Sequence, residues 1–370
     1  MHPSQAYSLE TYHFPLSTED DKEIAGMLRA RGVFAPSFVP QVDEDIYEPL
    51  FYRRQSSYHD TNTTLLADRN VVTRWLALLS GKTATSEDRL AAAIMAFAQS
   101  ANILVEPNLA LYEAAAVGGS KVTNNELRQF RIADNLNTKH WADLAIGRIE
   151  ELSIPESELP ALPTNSEEID FEVRLRRWLR NYIILLKLAE LELRGLDRFQ
   201  RITELARWMH QDFIIGGPAL IFAIHYLAPN SERRGLLKNL RSMDRERALR
   251  GIRNASWDLT LLSDWIRRGE EQKAKNTLTL LCSLDRKLIY LSHMLAPQSD
   301  ADSSVEFRKT SLKKILEPWG KKQAREISEL IEWFQANADN PSRQIHRPHE
   351  VDIDRMMEAG EKFVTDWKIL

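Results

Sequence analysis

Two short β-branched and apolar runs, TTLLA at 63–67 and TLTLLCS at 277–283, each give way to an aspartate, Asp68 and Asp285. A third run, ANILV at 101–105, ends at Glu106, Pro107 and Asn108. Helical periodicity follows each of them. VVTRWLALLSG and then SEDRLAAAIMAFAQS, with Ser86 as N-cap, come after the first. LALYEAAAVGG, stopping at Gly118-Gly119, comes after ANILV, and RKLIYLSHML comes after the last. Strands alternating with helices specify a mostly parallel sheet covered by helices. Short apolar runs also fit helix segments, so an all-helical chain is the competing expectation.

The rest of the chain is read as helical. Residues 1–58 form an irregular lead-in with one helix at Thr18–Arg31. Residues 59–150 hold the first strands, and Asn125–Glu151 is expected to be helical. Pro155, Pro160 and Pro163 mark a linker into a helical insertion over 151–245, with helices at Phe171–Arg194 and Arg198–Asp212. The alternation resumes over 246–300, where Ala255–Arg268 reads as a helix with Asp258 in its first turn and EEQKAKN as a polar connector. Residues 301–370 form a helical C-terminal region, with helices at Ser311–Leu316, Lys321–Asn337 and Val351–Leu370.

With 43% hydrophobic residues in 370, the chain can bury a core without covalent staples. Its one cysteine, Cys282, excludes an internal disulfide, and no Cys/His cluster has zinc spacing. A reducing, cytoplasmic setting is expected, and no signal peptide is read at the N-terminus. Phe213–Ala228 is the most apolar stretch, but it is short for a membrane span and contains Gly216, Gly217, Pro218 and His225. Gly216-Gly217-Pro218 lacks the Lys and Ser/Thr of a phosphate loop, and no Ser-His-Asp or Cys-His signature is present.

Asp68, Glu113, Asp258 and Asp285 are the candidate chemical set. Ligands of open α/β sheets bind beyond the carboxyl ends of the strands, where Asp68 and Asp285 fall. Taken singly, an aspartate there is an ordinary turn residue or helix N-cap. Together, LLADRNVV around Asp68, LVEPNLALYEAAA around Glu113, NASWDLTLL around Asp258 and TLLCSLDRKL around Asp285 resemble the PIN-like nuclease family in content and chain order. The resemblance covers roughly residues 60–145 and 245–295, and the interval from Glu113 to Asp258 is far longer than in compact members. It implies a three-layer α/β/α sandwich with a large helical insertion. It also implies four carboxylates serving as catalytic groups and as ligands of Mg²⁺ or Mn²⁺. Glu106 is the alternative to Glu113, and Asp264 to Asp258. Oxygen-only donors select such hard cations. Asn70 is expected to hold Asp68 or a bound water, or else to make a local turn bond.

The net charge of −4 excludes a wholly basic coat but leaves room for a basic face. Residues 232–253 carry eight Arg/Lys and three Asp/Glu. Arg233, Arg234, Lys238, Arg241, Arg245 and Arg250 are the candidate nucleic-acid contacts, or else one charged face of a solvated helix. Arg174, Arg176, Arg177 and Arg180 make a second cluster beside Trp178 and Tyr182. The implied activity is metal-dependent hydrolysis of nucleic acid, RNA ahead of DNA, in the manner of a toxin or antiviral defence effector. The implied partners are that nucleic acid and a regulatory protein or second copy, with no membrane. The alternative is a non-catalytic binding scaffold using its helical half as a partner or dimer surface.

Overall fold

The computed structural model describes residues 13–40, 45–161, 168–229, 237–295, 312–337 and 350–368. The described residues are mostly helical and are built around one small mixed sheet of four strands: β1 (Phe34–Pro36), β2 (Asn62–Ala67), β3 (Leu104–Glu106) and β4 (Thr277–Cys282). Their spatial order is β1-β4-β2-β3. β2 runs parallel to both neighbours, with Leu65 opposite Leu280 and Val105, while β1 lies antiparallel on β4. The three expected strands are present. ANILV is trimmed, because Ala101 still caps the preceding helix and pairing begins at Leu104. β1 had no period to reveal it; Pro36 is tolerated there because the strand lies at the sheet edge.

Side chains alternate across the strands, so each face seeds its own core. Leu65, Ala67, Leu280, Cys282 and Phe34 belong to one cluster, and Leu66, Leu281 and Ala35 to the other. The first face is covered by α1 (Thr18–Arg31), α2 (Pro49–His59), α3 (Arg69–Leu79), α4 (Ser86–Ser100) and α6 (Thr138–Ala145). Between α4 and α6 runs α5 (Asn108–Asn135), broken at Gly119, where φ is 78°. The break expected at Gly118-Gly119 is therefore real, but helix resumes at once beyond it. The cap of α4 is Thr85 rather than Ser86: Thr85 and Asp88 form a reciprocal capping box, shifting the helix start by one residue.

The second face is covered by α7 (Arg176–Leu193), α8 (Arg198–Gln211), α9 (Gly217–Leu227), α10 (Arg245–Lys275) and α11 (Arg286–Leu295). The apolar stretch around Gly217 is thus core, and no helix among the described residues is long and apolar enough to cross a membrane. α12 (Lys321–Asn337) and α13 (Glu350–Asp366) complete this layer. α13 lies so close to α7 that a Cβ on Gly360 would stand 2.9 Å from Leu186 Cβ.

α10 is the main departure from expectation. It begins ten residues before Ala255 and takes in the EEQKAKN connector as far as Lys275, because Arg267 and Lys275 each pair with Glu271 one turn away and hold the polar end helical. Asp258 consequently lies in the middle of a 31-residue helix, not in a first turn.

Candidate acidic site

The chain leaves β2 and β4 in opposite directions. Adjacent and parallel, these strands end together at Ala67 and Cys282. α3 then packs on one face of the sheet through Val71, Val72 and Trp75, and α11 on the other through Leu288, Ile289 and Leu291. Helices diverging from neighbouring strand ends leave a crevice between them, the place where open α/β sheets bind ligands.

Asp68 is the first residue past β2 and the N-cap of α3, and it is 7% exposed. Its backbone N–H donates to Cys282 O at 3.0 Å, so the turn is pinned to the neighbouring strand. Its carboxylate accepts from Asn70 Nδ2 at 2.6 Å and from Ser283 Oγ at 2.5 Å. Asn70 also donates to Ser283 Oγ at 3.1 Å and accepts from Leu284 N at 3.2 Å. Asn70 therefore buttresses Asp68 and reaches across to the β4 end. Ser283 Oγ in turn accepts from the Asp285 backbone N–H at 2.9 Å, and Asp285 caps α11 by accepting from Lys287 N at 2.8 Å. Ser283 is a part of the site that the sequence reading missed. The available signal was a small hydroxyl between the last strand residue and the terminal acid, and it looked like part of the strand.

Glu113 and Asp258 enter from helices, α5 before its break and α10 at mid-length. The acids act on one another through their charges. Burial, opposed by the Ser283 hydrogen bond and reinforced by the charge of Asp285, pushes Asp68 up to about 6. Burial and then the charge of Asp68 push Glu113 up to about 8, with Arg69 opposing. Asp258 is raised well above the usual carboxylate range by burial, then by Asp68, Glu113 and Asp285, with Lys238 opposing. Like charges gathered in a low-dielectric crevice disfavour ionisation in this way. The interaction is electrostatic and not yet coordination: among the described residues, no three His, Cys, Asp or Glu side chains are gathered closely enough to share a metal ion.

The alternatives are otherwise engaged. Glu106 receives a two-pronged ion pair from Arg268, at 2.5 and 2.8 Å. Asp264 is held by Arg267 and Arg268 and lies below its ordinary pKa. Both belong to a charge network along α10 and β3.

Of the basic stretch, Arg245 departs from the expected face. Arg233 and Arg234 lie outside the described residues. Arg245 turns inward, donating to the carbonyls of Leu240, Ser242 and Val364 and lying over the Trp367 ring. Arg241 leans toward Glu192 at 3.6 Å and Arg250 toward Asp244 at 3.7 Å, both from exposed positions. Lys238 is exposed and makes no ion pair with a described residue. In the second cluster Arg174 pairs with Asp354 and Arg177 donates to Ser263 O.

No protein-family model, curated protein or solved structure matches this chain.

Proposed function

We propose that the chain is a divalent-metal-dependent nuclease of PIN-like type, acting on RNA ahead of DNA. One observation carries the reading. Asp68, Glu113, Asp258 and Asp285 come from four separate segments, yet burial and the charges of the other acids raise the carboxyls of Asp68, Glu113 and Asp258 together. Such a concentration opposes folding unless a cation balances it. The donor set fits Mg²⁺ or Mn²⁺, being all oxygen and free of thiolate and imidazole. A bound ion there would neutralise the cluster, polarise a phosphate and lower the pKa of a water. The protein's own share is to hold Asp68 and Asp285 in register through Ser283 and Asn70, and to keep Glu113 and Asp258 half-buried facing them. A role as toxin or defence effector belongs to the same proposal.

The second reading, a non-catalytic scaffold, is favoured by the inward turn of Arg245 and by the acidic neighbours of Arg241 and Arg250, which reduce the free positive charge of the expected face among the described residues. Incubation with Mn²⁺ or Mg²⁺ and labelled single-stranded RNA and DNA separates the two. Cleavage that needs metal and vanishes in both Asp68→Ala and Asp285→Ala is the expected result. Cleavage untouched by either change would remove the carboxylates from the reaction, and no cleavage by any form would favour the scaffold.

A further inference from the structure

Most arginines near the crevice are already spoken for. Arg69 grips Glu126 at 2.6 and 2.9 Å, and Arg267 and Arg268 are tied to Asp264, Glu271 and Glu106. Three cations at the site are not. Arg286 and Lys287 directly follow Asp285 in the first turn of α11, where Arg286 is exposed and Lys287 half-buried. Lys238 is exposed on the connection between α9 and α10. None of the three forms an ion pair with a described residue, although Asp285 directly precedes Arg286 and Lys287 and the Lys238 charge acts on Asp258.

Lys238 is held at this place by the backbone. A Cβ on Gly251 would stand 2.0 Å from the Lys238 carbonyl oxygen, so only a glycine lets the 237–240 turn rest on α10. Gly251 and Asp258 are seven residues apart, two turns along one helix face. The turn is thus seated on the face that carries Asp258, and the Lys238 charge opposes the negative potential at that carboxyl.

We propose that Lys238, Arg286 and Lys287 form a phosphate-holding rim around the acid crevice and grip the backbone of a single nucleic-acid strand. This rests on the nuclease reading. It replaces the face expected along 232–253: the strand is held by cations from two elements at the crevice mouth, not by the length of α10. Carboxylates alone would repel a polyanion, so cations that pair with no described residue supply the attraction. They read phosphate and not base edges, so little sequence preference is expected.

The test is fluorescence anisotropy with a labelled single-stranded RNA of mixed sequence in Mg²⁺, in an Asp68→Asn background that blocks cutting. Removing three phosphate contacts should weaken binding at least about tenfold and flatten the log K against log salt slope by about 2. The triple variant Lys238→Gln, Arg286→Gln, Lys287→Gln is expected to do so, while Arg241→Gln with Arg250→Gln stays within about twofold. The single reversal Lys287→Glu, checked for unchanged thermal melting, should also weaken binding. Unchanged affinity in the triple variant, equal loss in the Arg241/Arg250 control, or no RNA binding by the parent would overturn the rim. Loss of binding in the triple variant alongside a wild type that never cleaves would keep the rim and sink the nuclease reading.

Discussion

The Ser283 hydroxyl donates to the Asp68 carboxylate at 2.5 Å, joining the ends of two strands more than two hundred residues apart in sequence. It also receives the Asp285 N–H, so one side chain sets the spacing between the first and last acids of the site. Ser283→Ala should lower metal-dependent cleavage and metal affinity by about 10–100-fold, the usual cost of losing a residue that orients a ligand. The stability loss should be only about 1–2 kcal/mol. Isothermal titration with Mn²⁺ beside thermal melting checks the pair, and equal effects on both would mean the residue is merely structural.

Glu106 and Glu113 give opposite forecasts. Glu106→Gln breaks the pair with Arg268, and a loss of about 1 kcal/mol in denaturant stability with cleavage retained is expected. Glu113→Gln should abolish cleavage while leaving the fold intact or firmer. Reversed results would make Glu106 the site residue.

The metal-free protein should lose stability as pH rises. Glu113 is pushed up to about 8 and Asp68 up to about 6, above the ordinary carboxylate values of the unfolded chain. The folded state therefore binds more protons, so the stabilisation is full below about pH 4 and drains away as pH climbs toward 8. Melting temperature in EDTA should fall between pH 5 and 8, and Mg²⁺ or Mn²⁺ should restore it more at pH 8 than at pH 5. Glu113→Gln should flatten the fall, and an unflattened curve would place the titration elsewhere.

Asp88 acts with the other sign. Its enclosed carboxylate accepts from Arg74, Lys82 and Thr85, and these partners hold it well below its ordinary pKa. Its contribution is present above the unfolded value near 3.8 and is lost as pH falls below it. Asp88→Ala removes the returning half of the capping box at the start of α4 and strands two cations, and should cost about 2–3 kcal/mol at pH 7 by chemical denaturation. A cost near zero would mean that solvent replaces both partners.

Gly251→Ala puts a methyl group into the Lys238 carbonyl. The backbone cannot swing aside as a side chain would, so about 1–3 kcal/mol of destabilisation is expected by the measure of overpacking. RNA affinity should fall with it, as the turn carrying Lys238 is displaced. Unchanged stability would mean that the turn does not rest on the helix.

The strands that end in Asp68 and Asp285 were legible because β-branched runs and helical periods alternate around them, and an acid that ends a strand is a position that local pattern can mark. α1, α4, α11 and α12 were legible to within a residue or so because caps and periodicity agreed. The register of α10 was not legible: its polar end is helical only through ion pairs that a hydropathy pattern does not show, so Asp258 was placed in a first turn. β1 is three residues long and gains its identity from β4, a partner at the far end of the chain. The place of Arg245 was not legible for a related reason. Charge counts along 232–253 cannot say that Arg245 points inward at carbonyls supplied by α13 and the turn before α10.

The place of β4 in the sheet has a consequence for biosynthesis. It is the last of the described strands to be made, yet it lies between β1 and β2 and carries the end that supports Asp285. A nascent chain that has emerged only through α9 has β2 and β3 to pair but an open gap where β4 belongs. Long-range closure of this kind is slow. The carboxylates can meet only after about three-quarters of the chain has been translated, so shorter fragments and stalled products lack the assembled crevice.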